Sequence, residues 1–299
     1  MAASRSFSIA LAFAAVYLLW GSTYLAIRVG VEDLPPALFA GSRFIIAGLI
    51  MWGIAAARGF KRPASAVDWY RIALTGSLML VGGNGLVTWS EQWVDSGQAA
   101  LIVATVALWM AGMGAWGPRG ESLNRLSLIG LLLGFAGVGI LVGVGIAQAQ
   151  SPPLAYAGLL LAPILWAYGS VYGRRRPVGC SPWMTSAMQM LIAGLILTLI
   201  GLIAGEPAEW AWTAQGMGAL AYLIVFGSCL GFGAYIWLVQ QVTPTQLATY
   251  AYVNPAVAVL LGWWLLDETL SPRQIVGTLV ILVAVVLVTV AQSRRRAHG

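Results

Sequence analysis

Glu121-Ser122-Leu123-Asn124, with glycine at position 130, returns further along the chain as Glu268-Thr269-Leu270-Ser271, with glycine at 277. The displacement of about 147 positions keeps polar and turn residues in register, which shared hydrophobicity alone does not produce. Upstream, Gly83, Gly85, Trp89, Gln92, Val94, Gln98 and Ala100 match Gly231, Gly233, Trp237, Gln240, Val242, Gln246 and Ala248, with one residue of slippage before the Glu motif. Trp20 and Trp166 stand at corresponding places in the first apolar run of each half. The chain therefore divides into residues 1–148 and 149–299, the second ending in a short basic tail.

Of the 299 residues, 60% are hydrophobic and 9% charged, against about 45–50% and 25% in ordinary soluble domains. That gap excludes a water-soluble enzyme. A bilayer core about 30 Å thick asks for about 20 apolar residues per helix. Ten runs meet the requirement: 8–29, 35–57, 68–88, 94–116, 126–146, 152–172, 182–204, 215–238, 245–266 and 274–291, the third and fourth interrupted by Asn84, Glu91 and Asp95. Five helices per half is an odd number, so the second half enters the membrane upside down. The expected fold is all-α and integral to the membrane, ten transmembrane helices as two inverted five-helix repeats. The first run is too long and too poorly flanked for a cleavable signal peptide and is expected in the mature fold.

Charge sets the expected orientation. With the N-terminus inside, Arg5, Arg58, Lys61, Arg62, Arg71, Arg119, Arg125, Arg174, Arg175, Arg176 and Arg294 to Arg296 fall on the cytoplasmic side, and only Arg28 and Arg273 outside. Such a Lys/Arg bias places both termini in the cytoplasm of a multi-pass plasma-membrane protein. The pI near 9.6 reflects these clusters beside apolar helices, not a nucleic-acid face, and no nucleic-acid partner is expected. Cys180 and Cys229 show no metal or redox spacing. No metal, cofactor or catalytic group is expected, and no nucleotide-binding loop is present in the sequence.

Inverted repeats are the architecture of secondary transporters, in which two similar halves rock around a site near the bilayer midplane; channels also use them. The fifth and tenth runs are almost wholly Leu, Ile, Val, Ala and Gly and read as scaffold. The first, third, fourth, sixth, eighth and ninth carry polar and aromatic residues and are expected to line a cavity. Its candidate residues are Trp20, Ser22 and Thr23 in the first run, Asn84 in the third, Trp109 in the fourth, Trp166 and Tyr168 in the sixth, and Tyr250, Tyr252 and Asn254 in the ninth. Hydroxyl and small residues at mid-depth either ease helix packing or meet a solute. Pro255 leaves a carbonyl without its donor, as a kink or as part of a gate. Arg43, about eight residues into the second run, is costly there unless paired or wet. It either binds an anionic group or ties down carbonyls and acids near the outer face, such as Glu32, Asp33 or Glu91. No Asp, Glu or His is expected at mid-depth, so no buried proton relay is visible. Glu121 and Glu268, each opening a helix after a turn, read as caps.

Several stretches together resemble the drug/metabolite transporter superfamily, within it the ten-helix EamA-type exporters. They are Trp20-Gly21-Ser22-Thr23-Tyr24, Ile27-Arg28, Gly30-Val31-Glu32, Pro35-Pro36 and Ala40-Gly41 with Arg43-Phe44 in the first half. In the second they are Gly169-Ser170-Val171-Tyr172-Gly173, Tyr250-Ala251-Tyr252-Val253-Asn254-Pro255 and the Glu268 motif. The resemblance covers nearly the whole chain. It implies an inner-membrane exporter of amino acids or similar small metabolites, working as a monomer or homodimer, with Trp20, Trp166 and Tyr250 to Pro255 facing or gating the cavity. Drugs or nucleobases are alternative solutes, and a channel-like facilitator is the alternative mechanism. Relatives often carry a proline in mid fourth helix, where this chain has Val106-Ala107-Leu108-Trp109, so the two halves are expected to bend differently.

Overall fold

Local chemistry marks the helix boundaries. Pro35 is extended and Pro36 opens the helix Pro36–Ala57, which stops at Gly59 with φ 71°. The Ser65, Ser181 and Thr213 side chains accept the backbone N–H three residues on, at Asp68, Met184 and Gly216, as N-caps do. Gly205, at φ 81°, ends Pro182–Ala204 in the left-handed conformation that glycine adopts without strain.

The computed structural model describes residues 2–116, 151–242, 247, 250–268 and 271–296, with parts of 125–140. Its helices are α1 (Ala2–Gly30), α2 (Pro36–Ala57), α3 (Ala66–Ser90), α4 (Ser96–Ala115), α5 (the helical residues within 125–140), α6 (Pro153–Arg175), α7 (Pro182–Ala204), α8 (Ala214–Gln241), α9 (Tyr250–Leu266) and α10 (Pro272–Arg296). Glu121 and its motif, Thr269, and the side chain of Tyr252 lie outside the described residues. Seven helices, α1 to α4 and α6 to α8, are long and apolar enough to cross a membrane; α9 and α10 hold shorter apolar stretches, Val253–Leu266 and Ile275–Ala284. The described residues therefore show seven such spans where the sequence predicts ten. No strand occurs among them.

The exterior is apolar where that of a soluble protein is polar. Leu195, Ile203, Leu260 and Trp264 face outward, whereas Ser90, Glu91, Ser96 and Ser228 are fully buried. Such a surface suits lipid, and the polar interior is where polar groups can find partners.

The halves meet through exchanged contacts. α2 and α7 run antiparallel in close packing. A Cβ on Gly48 would lie 2.9 Å from Leu191 Cγ, and one on Gly194 2.8 Å from Ile45 Cγ1. The two contacts are equivalent under the repeat, which is the signature of a two-fold relation between the halves. α1 packs on α8 and α9, and α6 correspondingly packs on α3 and α4. Outside this core, α5 approaches α10 where a Cβ on Gly137 would lie 2.9 Å from the Gly277 carbonyl oxygen.

Two departures from regular helix matter for the site. α3 widens into a π-helical stretch at Ser77–Gly85, and α8 does so at the matching place, Leu223–Phe232. α4, which has no proline in its middle, tightens at Ala104–Thr105, where Ala107 and Leu108 N–H donate to carbonyls three residues back at 3.2 and 2.9 Å. α9 continues unbroken through Pro255. The interruption of regular helical hydrogen bonding lies in the helix without the proline.

Hydrogen bonds tie the turns into two ends. At the acidic end, Glu206 accepts from Ala37 and Leu38 N–H at 3.0 and 2.6 Å, capping α2 from the opposite half. Glu268 likewise accepts from Ser96 N, Ser96 Oγ and Gly97 N at 2.8–3.1 Å. Glu268 is therefore a cap, but of α4 in the other half, not of the helix that follows it. At the basic end, Arg71 donates to the Pro177 carbonyl, and Arg175 to those of Met113, Gly114 and Trp116.

Candidate functional site

Within α1, Thr23, Tyr24 and Ile27 lie three, four and seven residues after Trp20 and so share its face. These four form one wall of a central cavity of about 60 Å³, room for a few waters. Arg43 and Phe44 of α2, Asn84 and Val87 of α3, and Val103 and Val106 of α4 close one side; Trp166 of α6, Gly227 and Phe232 of α8, and Tyr250 and Asn254 of α9 close the other. α5, α7 and α10 contribute nothing to this lining among the described residues.

Aromatic rings form the floor on the basic side. The Trp20 ring centroid lies 5.3 Å from Trp166, 4.9 Å from Tyr235 and 5.6 Å from Tyr250, and the Trp166 and Tyr250 contacts are edge-to-face. Such pairs add about 0.5–1.5 kcal/mol each beyond burial. Each tryptophan sits on a glycine of the opposite half: a Cβ on Gly231 would lie 2.5 Å from Trp20 Nε1, and one on Gly83 2.8 Å from Trp166 Cε3. The residues that matched as a repeat are thus the two partners of one contact, made twice. The Trp20 N–H donates to the Gly227 carbonyl at 3.0 Å, whereas Trp166 donates to the Tyr235 hydroxyl at 3.1 Å, itself 2.7 Å from Ser170 Oγ.

Arg43 joins the two π-helical stretches. Its Nε donates to Ser228 Oγ at 2.8 Å and its Nη1 to Asn84 Oδ1 at 3.3 Å. It is 3% exposed, and among the described residues no carboxylate lies within ion-pair distance of it. Of the two sequence readings, pairing with Glu32, Asp33 or Glu91 is not what the structure contains. Ser228 hydroxyl and Asn84 amide hold the guanidinium beside the cavity, with the Phe44 ring 4.9 Å away.

The remaining candidates separate by helix face. Tyr168 is 49% exposed and its ring packs near Tyr172, away from the cavity. Ser22 donates to the Leu18 and Leu19 carbonyls and meets Tyr222 Oη at 2.6 Å, joining α1 to α8. Trp109 packs against the core outside the cavity lining. Asn254, with its amide turned to face acceptors, donates to the Tyr250 and Tyr17 carbonyls, and Pro255 is buried beside it. Sequence reasoning missed Ser228, Phe232 and Tyr235; their signal was the register itself, since all three follow Gly227 in the helix matched to the one carrying Asn84.

Two copies of one family model, the EamA-like transporter family, match residues 7–143 and 153–290. The inner membrane transporter YedA of Escherichia coli (strain K12) is 41% identical over 281 residues, 93% of this chain and 89% of that protein. The transporter YvbV of Bacillus subtilis is 28% identical, over 96% of this chain and 93% of its own. A solved crystal structure superimposes with a TM-score of 0.69 at 20% identity, covering 96% of this chain and 98% of the other. The repeat, the lipid-suited exterior and these matches agree: the chain is a multi-pass membrane protein that belongs to the EamA-like transporter family of the drug/metabolite transporter superfamily.

Proposed function

We propose that this protein is a secondary transporter that exports amino acids or related small metabolites across the inner membrane by alternating access. The observation that carries the reading is Arg43, buried, held by Ser228 and Asn84 and facing a cavity floored by Trp20, Trp166 and Tyr250. A fixed guanidinium suits a carboxylate, and aromatic walls suit an apolar side chain. The ten-helix inverted arrangement and the cytoplasmic placement of both termini belong to the same proposal, supported by the repeat and by the arginine-rich end. Transport then consists of opening the basic end to load, closing it on the solute, and opening the acidic end to release.

The test is transport by purified protein in liposomes, with labelled amino acids set against the matching amines that lack the carboxylate. The expected result is that amino acids move and the amines do not, and that Arg43→Gln raises the amino-acid KM at least tenfold. Equal transport of amines and amino acids, or an unchanged KM in Arg43→Gln, would remove the carboxylate role of Arg43.

A further inference from the structure

Two glutamates stand close together at the acidic end and are treated in opposite ways. Glu268 is bound by three donors of the α4 N-terminus, as an ionised carboxylate should be. Glu91, in the turn after α3, is 0% exposed, and neither of its carboxylate oxygens has a hydrogen-bond partner. Arg28 donates to the main-chain carbonyls of Glu91 and Gln92 at 2.7 and 2.9 Å, not to the carboxylate. Burial disfavours an anion left without a donor far more than it disfavours the neutral acid.

We propose that Glu91 is a proton-binding site linked to closure of the acidic end: its carboxyl holds a proton in the closed form described here and gives it to water when that end opens. The proton moves between the Glu91 carboxyl and bulk water, and nothing else is exchanged. The groups facing it have been weighed. Arg28 of α1 and Arg43 of α2 favour the anion, Glu268 beyond α9 opposes it, and burial outweighs all three, holding the carboxyl well above the usual carboxylate range. Tyr24 of α1 also feels the Glu91 charge, and Asp95 in the same turn interacts chiefly with Glu268 and Arg28. Glu91 follows Val87 by one helical turn, so it sits just behind the cavity wall, where opening would first admit water.

The inference rests on the alternating-access reading but not on which solute moves. Infrared difference spectra of the reconstituted protein, titrated with pH in the absence of solute, give a readout that needs no transport. A protonated-carboxyl C=O band near neutral pH, lost in Glu91→Gln, is expected; its absence from the native protein, or its persistence in Glu91→Gln, overturns the proposal. The pH dependence of flux through the same liposomes is the second readout. Flux of the native protein should change as the pH on the acidic side crosses the midpoint of that band, and Glu91→Gln should lose this dependence. An identical profile in both proteins overturns the link to opening. A native band without flux of any amino acid would support the proton site and count against the proposed substrate class.

Discussion

Trp20 rests on Gly231 and Trp166 on Gly83, one seat built twice, yet the Trp20 indole N–H ends on a main-chain carbonyl and the Trp166 N–H on a side-chain hydroxyl. Gly227, the acceptor for Trp20, belongs to the π-helical stretch of α8. Tyr235, the acceptor for Trp166, is also shared with Ser170. Trp20 is 9% exposed, and Trp166 is half-buried. The repeat therefore supplies the same parts to both halves but gives Trp20 a main-chain acceptor and Trp166 a side-chain one.

Removing the rings should widen this difference most. Trp20→Ala is expected to destabilise the protein by about 3–5 kcal/mol, and Trp166→Ala by less, read as melting midpoints in detergent. Both should still insert and both should lose transport; unchanged transport in both would detach the aromatic floor from function. Adding a methyl group comes next. Gly231→Ala must displace an indole already bonded to main chain, at about 1–3 kcal/mol, whereas Gly83→Ala pushes on the less buried Trp166; equal losses would mean that the two seats are equally rigid. Tyr235→Phe removes the acceptor of the Trp166 N–H and leaves the Trp20 bond to Gly227 in place; it should cost about 0.5–1.5 kcal/mol, a smaller drop in melting midpoint than Trp166→Ala gives. Tyr168→Ala should be within about 0.5 kcal/mol of the native protein and transport normally, which sets the baseline against which Trp166→Ala is judged.

The membrane class, the repeat and the pairing of Trp20 with Trp166 were legible because hydrophobic runs and register survive in one dimension. That each tryptophan would rest on the other half's glycine was not, since a repeat says which residues are equivalent and not which ones touch. Helical geometry carried more than the sequence reading used: Tyr168 is two residues past Trp166 and Ser22 two past Trp20, about 200° around the helix, hence off the cavity face. The π-helical stretches had a weaker trace in Gly82-Gly83-Asn84-Gly85 and in Gly227 to Gly233, since glycine also serves close packing. Glu91 read as an outer-surface acid because its position after the third run is near a helix end; that α1, α2 and the Glu268 turn close over it depends on contacts distant in sequence.

Counterflow tests the central claim most directly. Liposomes holding the purified protein and loaded with an unlabelled amino acid are diluted into a trace of the same amino acid carrying a label, without ATP and without an ion gradient. A carrier whose halves rock around one site should draw the label inward above its outside concentration and saturate as the solute is raised. Label that only equilibrates, with flux linear in concentration, would mean an open path through the cavity and would contradict the account.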